Sequence, residues 1–344
     1  MSRAALWGVL GNLTVVEPLL LSAYENEERD IWKTNQGNSP HGKPWYTSLH
    51  ASNFPGDDSS VCGRAQVYEL TNPAPEKPLE PKIRVLFDQG TDIEHMFVKR
   101  LSNYGVLLSA DVTGDDKYQT GFEDPDCWLT GSPDAIILPP FWTKSHVIDV
   151  KSTGHEKVLA MIADPEATIF SHKKYLRQLK TYIYEANKKF SPTVITCGVS
   201  GLLIKNGNDK CAVKHSGNCQ PKILKVEPPD DGTLFYCSRE EPLLTASYYV
   251  TNDPHMIEAG KGNLKEWKQD YIDNRLPEHV REGESSKWSV GACQWCKHKK
   301  PYCKQDYKDK VKELNKSALI EFSKSVWPDY DYDKTRQEVL NRWS

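Results

Sequence analysis

The sequence predicts an α/β protein with a mixed central sheet flanked by helices. Two observations predict it. Short apolar runs broken by Gly, Pro and Asp crowd residues 105–152, the signature of strands and turns. Segments with helical apolar spacing lie on either side, at 83–101 and 171–190, with further strand-like runs at 193–205 and 244–250.

The elements follow in chain order. Residues 13–34 read as a helix polar on one side, and 35–60, rich in Gly, Pro, Ser and Asn, as a long loop. Ser60 is placed to cap a short helix from Cys62 to Leu70. A Pro-rich link, Asn72 to Pro81, leads to a helix whose apolar face is Leu86, Ile93, Phe97 and Leu101. Strand-like runs follow at 106–108, 127–129, 135–138 and 146–150, with Pro139-Pro140 turning between the last two. Helices are expected at 155–163 and 171–190, and a buried strand at 193–205. Residues 207–240 are polar and irregular, an insertion or an elaborate hairpin. A strand at 244–250, a helix at 253–274 and a polar, aromatic tail complete the chain. No internal repeat is found.

The 344 residues suffice for one large domain or two small ones. Charged residues are 26% and hydrophobic ones 38%, which fits a folded globular chain and excludes a disordered or fibrous one. The net charge of -3 assigns any nucleic-acid binding to local basic patches. No apolar run is long enough to span a membrane. Ala4 to Leu21, interrupted by Asn12, Glu17 and Pro18, reads as an amphipathic or buried segment and not as a secretion signal. Three of nine cysteines cluster as Cys293, Cys296 and Cys303, a spacing that suits a metal or cluster better than disulfides. An intracellular chain is therefore expected, in cytoplasm or nucleoid, with viral or phage origin open.

The most informative segment is Gly131-Ser132-Pro133-Asp134, followed by Asp149-Val150-Lys151. Side chains alternate along a strand, so Asp149 and Lys151 share a face while Val150 points into the core. If 134–138 and 146–151 pair as a hairpin, Asp134 approaches Asp149. Two adjoining carboxylates repel, and a divalent cation with oxygen ligands, Mg²⁺ or Mn²⁺, resolves the conflict. Such an ion lowers the pKa of bound water and neutralises phosphodiester charge. Lys151 is placed to orient the water or stabilise the transition-state charge.

Pro133-Asp134 with Asp149-Val150-Lys151 resembles the PD-(D/E)XK nuclease pattern. The resemblance implies a restriction-endonuclease-like sheet. Family members carry a helix before it, with a glycine and, four residues on, a His or Glu completing the metal site. Gly90 and Glu94 have this spacing, with His95 the second choice, because RecB-like members favour His at Glu94's position. Gln178 and Tyr182, also four apart, resemble the Gln-x-x-x-Tyr of RecB-like nucleases. The resemblance gives them a role in positioning substrate or Lys151.

Cys293, Cys296 and Cys303 supply three thiolates, and Cys62 is the best fourth. Four thiolates suit a [4Fe–4S] cluster or Zn²⁺. The split resembles that of the AddB nucleases and CRISPR-associated adaptation exonucleases, which favours iron–sulfur. The last gap is one residue longer than the family's. Such a staple closes a loop of over two hundred residues at modest extra entropy. Cys211, His215, Cys219 and Cys237 are a weaker candidate zinc set, and Cys127 and Cys197 read as core.

Lys173, Lys174, Arg177 and Lys180 share the Gln178 helix, and Lys297, Lys299, Lys300 and Lys304 surround the last cysteines. Both patches suit phosphate binding. Trp and Tyr offer core and base-stacking surfaces. The expected organisation is an N-terminal helix and loop (1–60), a nuclease domain with cluster (61–305, insertion 206–240) and a C-terminal tail (306–344). No phosphate-binding Gly-x-x-x-x-Gly-Lys-[Ser/Thr] loop is present. The expected activity is a metal-dependent DNA exonuclease on single strands or ends in recombination, repair or replication. A helicase, recombinase or single-strand-binding protein is the expected partner. A structure-specific endonuclease and a non-cleaving DNA-binding scaffold are the alternatives.

Overall fold

The computed structural model describes residues 48–56, 61–71, 81–110, 121–204, 211, 218–273, 275–277 and 332–344. In chain order the elements are β1 (Leu49–His50), a 3-10 turn (Ala51–Asn53), α1 (Gly63–Thr71), α2 (Pro81–Tyr104), β2 (Leu107–Ala110), β3 (Phe122–Asp124), β4 (Leu129–Gly131), β5 (Ala135–Ile137), β6 (His146–Thr153), α3 (His155–Ala163), α4 (Pro165–Ser171), α5 (Lys173–Lys189), β7 (Thr193–Cys197), β8 (Pro221–Lys225), β9 (Asp231–Ser238), β10 (Thr245–Thr251), α6 (Pro254–Ile272) and α7 (Tyr332–Trp343). They fall into two compact units. One holds the described residues of Pro78–Phe122 and Ser132–Asp253, the other those of Asn35–Lys77, Glu123–Gly131 and Pro254–Ser344.

The first unit is built on a five-stranded sheet ordered β10-β9-β6-β5-β2. Strands β5 and β6 pair antiparallel, Ala135 opposite Ile148, as the hairpin expectation requires. Strand β9 lies parallel to β6, Lys151 opposite Tyr236, so the sheet is mixed. Helix α2 covers one face. Its Ile93 joins Val150 and Cys237 in a core with Phe97, Ile148 and Phe235, and Val98 joins Ala110 and Ala135 with Leu101. The Phe97 and Phe235 rings meet edge to face at 4.7 Å. Leu86, expected on this apolar face, is instead exposed, as is Phe87.

Helix α5 packs on the same sheet through Leu179 and Ile183. Gly232 in β9 makes the seat. A Cβ there would stand 2.7 Å from the Val147 carbonyl oxygen and 3.1 Å from both Leu179 Cδ1 and Ile183 Cδ1. The backbone oxygen belongs to a paired strand and cannot yield cheaply. Gly232→Ala should therefore cost about 1–3 kcal/mol, read as a fall in the urea midpoint at unchanged slope. An unchanged midpoint would show that the seat has slack.

Helix α3 occupies the predicted 155–163; the Glu240 carboxylate accepts from the His155 backbone N–H at 2.9 Å, and Val158 and Met161 form its buried stripe. The helix predicted at 171–190 is α5, Lys173–Lys189, and a further short helix that was not predicted, α4, precedes it. Helix α4 is capped by Asp164, whose side chain accepts from the Ala167 N–H at 3.0 Å, with Pro165 at its first position. The chain breaks at His172 before α5 begins. Residues 207–240, read as irregular, contain β8 and β9, and β9 is a central strand beside the lysine-bearing one.

In the second unit β1 pairs parallel with β4, Leu49 opposite Leu129, inside the stretch read as loop. Strand β3 completes a three-stranded sheet, and it too escaped the sequence reading. Helix α1 packs against α6, with Gly63 under the Trp267 ring, and the Arg64 Nε donates to the Pro277 carbonyl at 2.6 Å. Buried Lys261 pairs with Asp124 at 2.7 Å. The helix predicted at 13–34, Ser60 and the 72–80 link lie outside the described residues.

Candidate active site

Asp134 stands one residue before β5, after the Gly131-Ser132-Pro133 turn, and Asp149 lies on the adjoining β6. Antiparallel pairing of Ala135 with Ile148 places the two acids side by side. Asp134 Oδ2 also accepts from the Val150 backbone N–H at 2.6 Å, which pins its side chain. Lys151 Nζ lies 2.8 Å from Asp149 and 3.9 Å from Asp134 Oδ2. Strand alternation thus does what the sequence predicted: Val150 enters the α2 core while Asp149 and Lys151 share the other face.

Asp149 is fully buried and Asp134 nearly so. Burial holds the Asp134 carboxyl well above the usual carboxylate range; the Lys151 cation opposes this, while the charges of Asp149 and Glu94 add to it. Burial likewise raises Asp149 against the pull of Lys151. Burial disfavours the Lys151 ammonium, but Asp149 and Asp134 outweigh it, so Lys151 titrates above its ordinary value and stays charged.

Glu94 is the acid of α2 whose charge reaches Asp134. Gly90, one turn earlier, faces β6: a Cβ there would lie 3.1 Å from Ser152 Oγ, the close approach expected of that glycine. Among the described residues Glu94, Asp134 and Asp149 do not gather within 4.8 Å of one another; three thiols described below do. The donor set nevertheless suits a hard cation. Two acids sit together against their mutual repulsion, and the buried Asp149 Oδ2 has no hydrogen-bond donor. Lys151 Nζ is 2.8 Å from that oxygen as well, but the geometry of its hydrogen bond serves Oδ1.

Gln178 and Tyr182 lie on successive turns of α5, and the Gln178 amide donates to the Tyr182 hydroxyl at 2.7 Å. Burial and the charges of Asp149 and Asp134 raise the phenol above its ordinary value, so it remains a neutral donor beside them. Tyr182→Phe would leave the buried Gln178 amide without that acceptor. It should cost about 1–3 kcal/mol in urea unfolding, with Gln178→Leu, Tyr182→Phe recovering part of the loss. Equal losses in the single and double variants would deny the pairing its weight.

Three residues beside Lys151 were not predicted. The Lys151 ammonium lies 5.6 Å from the centre of the Tyr175 ring, Tyr236 stands opposite Lys151 on β9, and His172 Nδ1 hydrogen-bonds to the Tyr236 hydroxyl. The available signal was alternation: Gly232, Leu234, Tyr236 and Ser238 are all buried in β9. Polar residues on both sides of the segment masked it.

The basic residues of α5 separate. Lys173 and Lys174 are exposed, Arg177 is buried, and Lys180 pairs with Asp253 at 2.8 Å. They do not form one exposed face. Cys62 is buried just before α1. Cys293, Cys296 and Cys303, and Lys297, Lys299, Lys300 and Lys304, lie outside the described residues, as does His215. Of the second thiol set, Cys211 and Cys219 meet, but Cys237 does not join them. It packs under Ile93 and Val150, and Cys197, read as core, takes its place. No helix among the described residues is long and apolar enough to cross a membrane.

The described fold is mixed α/β, and its first unit holds a buried acid–acid–lysine cluster on the central hairpin. No family model matches the sequence. No curated protein matches it either. Among solved structures, an alkaline exonuclease from Laribacter hongkongensis is similar with a TM-score of 0.35 and 10% identity, over 66% of this chain and 89% of that one.

Proposed function

We propose that this chain is a divalent-metal-dependent deoxyribonuclease that removes nucleotides from DNA ends or single strands. The observation that carries the proposal is the meeting of Asp134, Asp149 and Lys151 on one hairpin, with the Glu94 charge acting on Asp134. Isolated salt bridges need one acid per base; here two buried acids share one lysine, an arrangement costly to folding and apt for a cation.

Asp134, Asp149 and Glu94 would hold Mg²⁺ or Mn²⁺, which when bound supplies Lewis-acid charge neutralisation and a more acidic water. The Lys151 ammonium would orient an attacking water and offset the charge that builds on the phosphoryl oxygens. Tyr182, kept protonated and braced by Gln178, would offer its hydroxyl proton to the substrate beside the acids. Lys173 and Lys174 are placed on the surface of the same helix to receive backbone phosphates. We also assign Cys62, Cys293, Cys296 and Cys303 to a [4Fe–4S] cluster, with Zn²⁺ the second choice. A helicase, recombinase or single-strand-binding protein is the fitting partner for a chain without a motor motif.

The test uses end-labelled linear and circular single-stranded DNA with Mn²⁺, and compares wild type with Asp149→Ala. Loss of label from linear DNA alone, abolished by the substitution, is expected. Cutting of the circle would make the enzyme an endonuclease, and activity indifferent to Asp149→Ala would remove the site altogether.

A further inference from the structure

Away from the acidic cluster, the first unit contains a second set of potential ligands. The Sγ atoms of Cys197, Cys211 and Cys219 all lie within 4.8 Å of one another. They come from three separate segments. Cys197 ends β7, opposite Pro221 of β8; Cys211 forms a bridge with Ile204; and Cys219 lies two residues before β8. Local sequence alone does not bring three such segments to one point; the antiparallel pairing of β7 with β8 and the bridges at Thr196–Leu203 and Ile204–Cys211 do.

The backbone around these sulfurs is arranged to receive thiolates. After Cys197 the chain turns through Gly198-Val199-Ser200-Gly201, with the Gly201 N–H returning to the Cys197 carbonyl at 2.7 Å. Gly201 has φ +72°, a left-handed conformation that closes the turn. Within the turn the Val199 N–H donates to Cys197 Sγ at 3.4 Å, and across the cluster the Cys211 N–H donates to Cys219 Sγ at 3.2 Å. The Ser200 and Gln220 backbone also donates to the Cys197 sulfur. The Ser200 hydroxyl lies 3.3 Å from Cys211 Sγ and borders the same point.

We propose that Cys197, Cys211 and Cys219 form a structural Zn²⁺ site that ties Cys211 and Cys219 to the end of β7. Three thiolates are the donor type that selects zinc over Mg²⁺ or Mn²⁺, so this site and the carboxylate cluster would sort their metals by softness. Tetrahedral zinc with Zn–S bonds of about 2.3 Å sets its sulfurs roughly 3.8 Å apart. Sulfurs all within 4.8 Å of one another can adopt this spacing, and the 3.1 Å between Cys211 and Cys219 Sγ must widen by roughly 0.7 Å. Binding releases the thiol protons and leaves the site one negative charge, which the donating N–H groups offset. The inference does not rest on the nuclease reading.

The experiment is peptide-resolved alkylation of the freshly purified full-length protein, with zinc content per chain measured in parallel. Cys211 and Cys219 should alkylate on the order of tenfold more slowly before a strong chelator is added than after it. Cys219→Ser should lower zinc by one equivalent per chain, whereas Cys62→Ser should leave that equivalent in place. Chelator-independent alkylation of wild type would overturn the proposal even if Cys219→Ser failed to fold. So would recovery of Cys211 and Cys219 as a disulfide in protein without zinc, or the same zinc content in wild type and Cys219→Ser.

Discussion

Lys151→Met should abolish cleavage and destabilise the metal-free protein together. Activity on single-stranded DNA should fall on the order of 10²- to 10³-fold, the usual consequence of removing one preorganised charge from a phosphoryl-transfer site. Stability should fall because the substitution leaves Asp149, fully buried, and Asp134, 15% exposed, without their shared cation. Breaking a buried pair in this way costs up to about 3–5 kcal/mol at neutral pH. The sign of its pH dependence follows from the shifts. The raised Lys151 value means its contribution is fully present below the ordinary lysine value of 10.5 and is lost only as pH rises through the folded value. Both carboxyls are already raised, and loss of the lysine raises them further. The loss on substitution should therefore be small in acid, where the carboxyls are neutral, and grow as pH rises. Urea midpoints at about pH 5 and about pH 8 read the difference. A loss equal at both would mean that packing of the lysine stem, not its charge, is what the protein misses.

Asp134→Asn should also abolish cleavage but should stabilise the metal-free protein. The asparagine oxygen can still accept from the Val150 N–H, while repulsion from Asp149 and Glu94 is removed. In wild type the folded Asp134 carboxyl titrates well above 3.8. Between the unfolded and folded values the native state binds more protons, so wild-type stability declines as pH rises through that window. The variant should lack this decline. Mn²⁺ at a hundredfold excess over Kd should raise wild-type stability by about 2.7 kcal/mol, and the variant's hardly at all. Opposite signs for Lys151→Met and Asp134→Asn distinguish a site strained for a cation from an ordinary salt bridge, in which both substitutions would destabilise. Destabilisation by Asp134→Asn would place the pair in the second class.

Much of this was legible in the residues. Asp149, Val150 and Lys151 must alternate across any strand, and the Gly131-Ser132-Pro133 turn marks where a partner strand begins. The hairpin that joins Asp134 to Asp149 could therefore be read before any coordinates. Helix α3 could be read to its ends because Gly154 and the apolar pair Val158 and Met161 are local signals. Helix α5 was read nearly to its ends, whereas the short α4 was missed although Asp164 and Pro165 are local start signals. Strand β9 was missed for a different reason. Its polar flanks describe a loop, and only pairing with β6 turns Asp231–Ser238 into a central strand. That pairing carries Tyr236 to Lys151 and Cys237 away from the other thiols.

By itself the sequence placed the candidate groups: which acids, which lysine, which face of which strand. Those features follow from covalent spacing and the two-residue period of a strand, which no later folding step alters. Only the tertiary structure decided which distant groups share a place. It brought Glu94 of α2 to act on Asp134, and it chose Cys197 over Cys237 as the companion of Cys211 and Cys219. Such choices depend on strand order and helix seating, and these are set by the burial of many side chains at once, not by any motif.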